Sequence, residues 1–248
     1  MSTEETKNTP ALILNRQDYK ENDSLVTVYT PYFGKLALVA RGTKKGGSKL
    51  AGHIEPLTLA DIMIVKGKGF DYLGSAVTRE AYPKIREDLN KLYYAGQALN
   101  LFSRLVKDNQ GDERLFFLLV KWLEVLNNFS SFRREDGELI LSFFTMKLLA
   151  ELGYKPEMYH CLGCSRKISP NGNYFNLLSG GLVCGECFQK DRLAEVPRLE
   201  LLTVTDNCIK LLRFMVDNRF KSAEKLKIDQ KTLKEARSLL DKFIIFHF

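Results

Sequence analysis

The sequence predicts an α+β protein with an N-terminal five-stranded β-barrel, an α-helical C-terminal domain and an inserted four-cysteine segment. Three observations lead to this prediction: strand-like alternation before residue 78, helical periodicity after Pro83, and two Cys-x-x-Cys pairs inside the helical part. The predicted parts are a barrel over 1–82, a helical domain over 83–155 and 191–248, and the cysteine-rich insert over 156–190.

The barrel prediction depends on short segments rich in β-branched residues and separated by turn signals. Four such segments are SLVTVYT (24–30), KLALVAR (35–41), LTLADIMIV (57–65) and DYLGSAV (71–77), and a fifth strand is expected from residue 11 onward. Five short strands favour a small closed barrel, because closure removes exposed sheet edges. We predict an OB-fold barrel, with an SH3-like barrel as the alternative, after a disordered tail over residues 1–9.

The second part has the periodicity of packed helices. Its first predicted inward stripe consists of Leu89, Leu92, Tyr93, Gly96, Leu99, Phe102 and Val106. Asp112 and Glu113 are expected to begin the next helix, where negative charge is favourable. Residues 138–153 are apolar on nearly all sides, which predicts a central buried helix. Two more helices are predicted at about 200–219 and 229–247.

The cysteines form the most specific pattern in the chain. The motifs CLGC (161–164) and CGEC (184–187) have the spacing of a zinc ribbon. We therefore predict one zinc ion with the ligands Cys161, Cys164, Cys184 and Cys187. Four thiolates fill the tetrahedral coordination and leave no position for water or substrate, so the site should be structural. A redox pair, or His160 in place of one thiolate, remains the alternative.

Composition and charge favour a polyanionic partner. The 248 residues carry a net charge of +7, and no apolar run is long enough to cross a membrane. The N-terminal residues lack the apolar segment of a secretory signal, and the five cysteines suit a reducing compartment. We expect a cytoplasmic protein that does not bind membranes.

No catalytic constellation is recognisable. Gly42 and Gly47 have the spacing of a Walker A loop, but Ser48 and Lys49 follow in the wrong order for phosphate binding. The chain has no G-x-S-x-G motif, and its three histidines lie in different predicted segments. We predict that the protein is not an enzyme.

A basic segment at the end of the third predicted strand is the candidate nucleic-acid contact. It contains five cations in fifteen residues with no acid among them: Lys35, Arg41, Lys44, Lys45 and Lys49. On an OB barrel such residues can follow phosphates while aromatic side chains stack on bases. Tyr29, Tyr32 and Phe33 are the candidate stacking residues, and binding should tolerate any sequence. A merely solvated lysine-rich loop is the alternative.

The order of motifs along the chain resembles one known family. The segments NDSLVTVYT and GKLALVARGTKK, followed later by LGY before the first Cys-x-x-Cys pair, are similar to the RecO family of bacterial recombination mediators. The resemblance extends over nearly the whole chain.

The resemblance implies a DNA-repair protein made of an OB-fold, a helical domain and a zinc ribbon. Such proteins bind single- and double-stranded DNA, anneal complementary strands and engage the C-terminal tail of single-strand-binding protein. With RecR they help RecA load on coated DNA, which implies a nucleoid-associated cytoplasmic protein. Arg41, Lys44, Lys45 and Lys49 match the basic loop of the family, where Thr43 replaces the common alanine. The C-terminal residues match no tail-binding segment position by position.

Two other functions remain open at this point. A zinc-ribbon adaptor could use the same positive charge to bind acidic protein tails, and an RNA-binding protein could use the same barrel. Binding of single-stranded DNA, compared with RNA and with an acidic peptide, distinguishes the three.

Overall fold

The computed structural model describes residues 5–189 and 200–248. The chain divides into two compact units, residues 1–128 and 129–248. This division lies later than the predicted end of the barrel at residue 82, and the three-part organisation stays a prediction. Residues 1–4 of the predicted tail, residue 190 of the insert and residues 191–199 lie outside the described residues.

Five strands in the first unit close into a barrel. They are β1 (Thr6–Tyr19), β2 (Asp23–Thr30), β3 (Gly34–Ala40), β4 (Leu59–Val65) and β5 (Asp71–Glu80). The strand order is β1-β2-β3-β5-β4, and β4 returns to β1. All pairs are antiparallel except β3 with β5. This order confirms the OB-fold prediction and excludes the SH3-like alternative.

The predicted disordered tail is wrong for residues 6–9, because β1 begins at Thr6. Thr6 pairs with Val65 and Thr9 pairs with Ile62, so the backbone of this polar segment completes the barrel. Its residues show no apolar alternation, and the pairing partner β4 lies some fifty residues away in sequence. The strand therefore depends on a non-local contact that local sequence patterns do not report.

Alternate residues of β1 to β4, together with Leu73 and Ala76 of β5, fill the barrel interior. The buried core residues are Ala11, Ile13, Val26, Val28, Leu38, Ala40, Ile54, Ala60, Ile62, Ile64, Leu73 and Ala76. They come from all five strands and from the segment that precedes β4. Because small and branched side chains dominate the set, the barrel is a packed core rather than a binding cavity.

Three helices complete the first unit: α1 (Pro83–Arg86), α2 (Leu89–Leu105) and α3 (Glu113–Asn128). The Asp88 carboxylate accepts hydrogen bonds from the backbone of Asn90 and Lys91 and begins α2. Asp112 accepts from the backbone of Arg114 at 2.8 Å and begins α3, as predicted. The ring of Tyr29 on β2 packs edge-on against Phe102 of α2, with centroids 4.8 Å apart.

The predicted inward stripe of α2 is wrong in its first half. Leu89, Leu92, Tyr93 and Gly96 face solvent, and Leu89 is 82% exposed. The buried face carries Lys91, Tyr94, Ala95, Ala98, Leu99, Leu101, Phe102 and Leu105. Both sets follow helical spacing on roughly opposite sides of the helix. Periodicity alone does not indicate which of the two faces is buried, because that depends on packing in the first unit.

The second unit combines three long helices with a small sheet. The helices are α4 (Arg134–Glu151), α6 (Asp206–Asp217) and α7 (Gln230–His247), and the sheet has the order β7-β6-β8. Its strands are β6 (Asn173–Asn176), β7 (Gly181–Val183) and β8 (Leu201–Val204), and the short helix α5 spans Gly185–Gln189. No helix among the described residues is long and apolar enough to span a bilayer.

Two helix predictions in this unit are confirmed. Helix α4 is buried on most sides and stops before Gly153, which has a φ of +89°. Helix α7 begins at the Asp229 cap, whose carboxylate accepts from the Thr232 amide at 2.8 Å. The predicted inward residues of α7 are buried: Leu233, Ala236, Leu240, Phe243 and Ile244.

The helix predicted from about residue 200 starts later, at Asp206. Residues Leu201–Val204 instead form β8 and pair with β6 of the cysteine-rich segment. The Thr205 hydroxyl then accepts from the Cys208 amide and begins α6. The apolar residues before Thr205 suit either state, and pairing with β6 selects the strand.

Gly34 at the start of β3 gives the first testable prediction. Its φ is +70°, and an added Cβ would lie 2.3 Å from the Gln110 carbonyl oxygen. Gly34→Ala should therefore destabilise the protein by more than the roughly 1–2 kcal/mol that a left-handed backbone costs a residue with a Cβ. Gly47→Ala is the control, because its φ is +79° and the space around it is open. Urea denaturation compares the two, and equal losses would contradict close packing at Gly34.

Candidate nucleic-acid interface and metal centre

Residues 41–49, which we call the basic finger, leave the end of β3 and are anchored at their base. The Gly42 amide donates to Asp23 Oδ1 at 2.8 Å, and the Lys44 amide donates to the Asn22 carbonyl at 3.1 Å. The hydroxyl of Thr43 is buried against that of Ser24, with 2.7 Å between the oxygens. The turn between β1 and β2 therefore holds the finger in place. The Thr43 hydroxyl contributes to that hold.

The rest of the finger is formed by tight turns. The Lys45 amide donates to the Gly42 carbonyl, and the Ser48 amide donates to the Lys45 carbonyl. Gly42 and Gly47 have φ values of +67° and +79°, a backbone region that favours glycine. The finger is a shaped loop, and its glycines permit the turns that carry the lysines.

The four cations of the finger differ in their surroundings. The Arg41 guanidinium lies over the ring of Tyr72, 4.1 Å from its centroid. Lys44 forms an ion pair with the exposed Asp18, with Nζ 2.9 Å from Oδ2. Within the described part of the chain, Arg41, Lys45 and Lys49 form no ion pair. These three cations can meet an external anion without breaking an internal pair.

Lys35, the fifth predicted contact, has a different environment. Its ammonium donates to the carbonyls of Ser103 and Val106, at 2.6 and 3.2 Å, and lies 3.0 Å from Asp108 Oδ1. It therefore compensates the carbonyl end of α2, where a cation is favourable. Its role in binding DNA stays a prediction. We expect a smaller contribution from Lys35 than from the finger.

The aromatic residues near the finger are not the ones expected from the sequence. Tyr29 is completely buried against α2, so its prediction as a stacking residue is wrong. Tyr32 is exposed, and Phe33 is partly buried against the barrel core. Sequence reasoning missed Tyr72, which lies beneath the Arg41 guanidinium, and the exposed Phe70, which lies beside Tyr19 at the end of β1. The available signal was their position directly after the glycine- and lysine-rich segment 66–69.

The four predicted cysteine ligands converge on one point. Their Sγ atoms all lie within 4.8 Å of one another, and those of Cys164 and Cys184 are 3.9 Å apart. A tetrahedral zinc ion with bonds of about 2.3 Å places its sulfurs about 3.8 Å apart, so the cluster fits one such ion. His160 is exposed and lies beside Glu157, outside the cluster. The four cysteines could therefore bind one metal ion.

Neighbouring groups donate hydrogen bonds to the sulfurs. Cys161 Sγ accepts from the amides of Gly163 and Cys184, at 3.4 and 3.3 Å. Cys164 Sγ accepts from Arg166 Nε at 3.4 Å, and the same guanidinium pairs with Glu186 of the second motif. Such donors orient thiolates and stabilise their negative charge. The Arg166–Glu186 pair also links the two cysteine motifs.

Burial and positive charge shift the pKa values of these thiols in opposite directions. The hydrogen bond from Arg166 lowers the pKa of Cys164 to about 6. Burial raises the pKa of Cys187 to about 12 and also raises the pKa of Cys184. Buried thiols resist ionisation unless a positive charge compensates them. A divalent cation at the centre of the cluster would supply that charge.

Local backbone contacts explain the second cysteine motif. Gly185 starts α5 between Cys184 and Cys187, and an added Cβ there would lie 2.7 Å from the Gly172 carbonyl oxygen. The glycine is therefore required by close packing, and its φ is not positive. The remaining cysteine, Cys208, is completely buried in α6, as expected for a small apolar side chain.

A groove in the second unit is a further candidate for partner binding. It has a volume of about 700 Å³ and lies between α4 and α7. Four cations line it (Arg134, Lys234, Arg237 and Lys242) together with three acids. The exposed Ile245 supplies apolar surface, and the buried Leu233 also lines the groove. The groove thus combines a small excess of positive charge with apolar contact.

Comparison with known proteins gives a consistent result over both units. The family profile described as "Recombination protein O N terminal" matches residues 1–82, and "Recombination protein O C terminal" matches residues 86–248. The relative "DNA repair protein RecO" from Roseiflexus sp. is 32% identical over 95% of this chain and 79% of its own length.

Two further relatives have the same name. The one from Dehalococcoides mccartyi is 32% identical over 92% of this chain and 85% of its own length. The one from Alkaliphilus metalliredigens is 27% identical over 96% of this chain and 92% of its own length. The similarity therefore includes the barrel, the helices and the cysteine-rich segment.

Proposed function

Because the chain belongs to the RecO family of DNA repair proteins, we propose that it is a recombination mediator. It binds single- and double-stranded DNA, anneals complementary strands and, with RecR, helps load RecA on DNA coated by single-strand-binding protein. It works in the cytoplasm at the nucleoid and catalyses no reaction. The observation that supports this proposal is the anchored finger, on which Arg41, Lys45 and Lys49 form no ion pair with any residue that the structure describes.

The proposed mechanism is charge neutralisation. DNA strands repel each other because every phosphate is negative, and cations that contact phosphates release the condensed counterions. The finger holds its lysines on a loop fixed to the barrel, so few conformations are lost when a strand binds. Two strands held on one basic protein meet at a lower electrostatic cost, and pairing follows without nucleotide hydrolysis. Phosphate contacts carry no sequence information, so annealing should not depend on sequence.

The ion pair between Lys44 and Asp18 provides a test of this mechanism. Asp18→Asn removes the carboxylate that lies 2.9 Å from Lys44 Nζ and frees a fourth finger cation. One additional phosphate contact steepens the salt dependence by about 0.7 and raises single-strand affinity about fivefold at 0.1 M salt. Fluorescence anisotropy of a labelled oligonucleotide at several salt concentrations measures both quantities.

A matched control separates this local effect from net charge. Asp61→Asn removes an equally negative side chain of the same unit, one that pairs with Arg79 on the neighbouring strand β5. It should change affinity little, because neither residue belongs to the finger. Equal gains from Asp18→Asn and Asp61→Asn would contradict a specific role for Lys44.

We propose that the metal ion is zinc and that its role is structural. The support is the fit of four sulfurs to one tetrahedron and the absence of a free coordination position in a four-thiolate site. In this role the ion would hold the two cysteine motifs together beside the sheet β7-β6-β8. The cysteine-rich segment and the helices α4, α6 and α7 are then the parts of the second unit that can present partner surfaces.

The groove between α4 and α7 is our candidate for the acidic C-terminal tail of single-strand-binding protein. Lys234 and Lys242 suit the carboxylates of such a tail, and the exposed Ile245 suits an apolar side chain. Arg237 is already paired with Asp241. The mixed charge of the lining should limit the affinity, which suits a contact that must be released during loading.

One experiment separates the proposed function from its two rivals. The protein is titrated at constant salt with single-stranded DNA, with RNA of the same sequence and with an acidic peptide, each carrying the same label. The proposal predicts tight DNA binding that the acidic peptide does not displace from the finger. Displacement of DNA by the peptide at equal charge concentration would favour the adaptor, and a strong preference for RNA would favour an RNA-binding protein.

A further inference from the structure

A cleft of about 700 Å³ opens on the barrel. One wall is the outer surface of β2 and β3, including Thr27 and Ala37, and the other is the loop 66–70 between β4 and β5. Asn109, after the end of α2, closes one end. The volume is in the range of small-ligand sites, and the cleft is open to solvent.

The loop 66–70 has a defined shape. An added Cβ on Gly67 would lie 2.1 Å from the Phe70 carbonyl oxygen, so only glycine fits there. The Gly67 amide and the Lys66 ammonium both donate to the Asp71 carboxylate at 3.2 Å. Lys66 is thus neutralised at the base of the loop. Lys68 at the tip is exposed and forms no ion pair with any residue that the structure describes.

Aromatic rings connect this loop to the finger and to the end of β1. Phe70 is 49% exposed, and its ring centroid lies 6.1 Å from that of Tyr19. On the other side of the loop, the ring of Tyr72 lies beside Gly67 and beneath the Arg41 guanidinium. Lys20 lies over the ring of Tyr19. Rings and cations therefore alternate along one continuous surface.

We propose that Phe70 and the cleft beneath it form a stacking subsite for an unpaired base, next to phosphates held by Lys68 and the finger. This inference rests on the proposed function and identifies the form of DNA that this surface prefers. Every base has a π-face that can stack on an aromatic ring, whatever its sequence. The bases of a duplex are stacked on one another and cannot reach Phe70, so the subsite should discriminate in favour of single strands.

Charge favours a nucleic-acid strand over a protein as the occupant. The cations Lys20, Arg41 and Lys68 surround the rings, and the acids Asp71 and Asp108 are already paired with Lys66 and Lys35. A polyanion gains from every unpaired cation on this surface, whereas an apolar protein segment would have to desolvate them. A half-exposed phenylalanine between lysines suits a ligand that alternates flat rings with negative charge.

The test compares an oligothymidylate with an abasic strand of the same length. Both carry the same phosphates, so their binding differs only through contacts with bases. Wild-type protein should bind the oligothymidylate about tenfold more tightly than the abasic strand. Phe70→Ala should bind both strands equally, at the affinity that the wild type has for the abasic strand, with an unchanged salt slope.

Two more variants keep the test interpretable. Phe70→Trp, unlike Phe70→Ala, should retain the preference for the oligothymidylate over the abasic strand. Its fluorescence should be quenched by the oligothymidylate but not by the abasic strand. The only other tryptophan, Trp122, is completely buried and gives a constant background. Phe117→Ala removes another half-exposed phenylalanine, on α3, and should leave the preference unchanged.

The outcomes separate the subsite from the proposed function. If the wild type binds both strands equally while charge reversal in the finger abolishes binding, the stacking subsite is wrong and the function stands. If charge reversal in the finger leaves binding of both strands unchanged, the proposed function is wrong at this surface. A preference for bases that persists in Phe70→Ala, with Phe70→Trp unquenched, also overturns the subsite.

Discussion

The triple variant Lys44→Glu, Lys45→Glu, Lys49→Glu is expected to lose strand annealing and to bind single-stranded DNA at least about a hundredfold more weakly at 0.1 M salt. Lys44 is paired with Asp18, so the variant removes the two phosphate contacts of Lys45 and Lys49. Their loss costs about 25-fold in affinity at this salt concentration, and reversal of three charges adds repulsion. The fold should persist, because the finger is anchored by Gly42, Thr43 and the Lys44 backbone rather than by lysine side chains. Annealing of labelled complementary strands measures the loss, and circular dichroism measures the fold.

A second triple variant controls for net charge. Lys221→Glu, Lys225→Glu and Lys227→Glu change the charge by the same amount at exposed positions of the second unit. If long-range attraction alone brings DNA to the protein, both triple variants should lose affinity equally. If the finger binds the phosphates, the control should lose much less affinity for DNA than the finger variant. Annealing by the finger variant at the wild-type rate would contradict binding by the finger.

The double variant Cys161→Ser, Cys184→Ser is expected to lose the metal ion and unfold the cysteine-rich segment. It removes one ligand from each motif, and a structural zinc ion contributes about 10–16 kcal/mol of apparent binding free energy. Cys161 Sγ also accepts two backbone hydrogen bonds that organise the cluster. Elemental analysis should find no zinc, and hydrogen exchange should show loss of protection in β6 and β7.

The damage should extend to the helix that the sheet contacts. Phe175 of β6 packs edge-on against Phe243 of α7, and the imidazole of His247 is hydrogen-bonded to the Leu177 carbonyl. Cys208→Ala is the control, because this buried cysteine lies outside the cluster and its loss should leave the metal content unchanged. Wild-type protein that contains no zinc after purification would contradict the metal assignment.

Local patterns predicted the parts of this fold that depend on neighbours in sequence. The alternation in β2 to β5 and the caps of α3 and α7 are set within a few residues, and the structure contains them at the expected places. The spacing within each Cys-x-x-Cys motif is also local. It places two sulfurs at one turn, so the four-sulfur cluster could be predicted once both motifs were recognised.

The errors share one cause, which is pairing between distant segments. Residues 6–9 became a strand because β4 pairs with them, and 201–204 became a strand because β6 does. On α2, two apolar stripes competed, and the choice came from packing in the first unit. No local propensity contains this information, since each segment is compatible with more than one state.

Contacts between distant segments also determine which side chains of the candidate site are available to a ligand. The sequence identified five cations, yet it could not indicate that Lys35 lies against the carbonyl end of α2 or that Lys44 pairs with Asp18. It also could not indicate that Tyr29 is buried whereas Phe70 is half exposed. Charge is readable from sequence, but its availability to a ligand depends on partners that the fold brings together.

Whether the finger binds DNA phosphates is tested by the salt dependence of single-strand affinity. The logarithm of the affinity is measured against the logarithm of salt concentration for the wild type and for Lys44→Gln, Lys45→Gln, Lys49→Gln. The wild-type slope should be more negative than that of the variant by about 1.4, because Lys45 and Lys49 each lose one phosphate contact. Parallel slopes for the two proteins would contradict phosphate binding by the finger, because the finger lysines would then release no counterions.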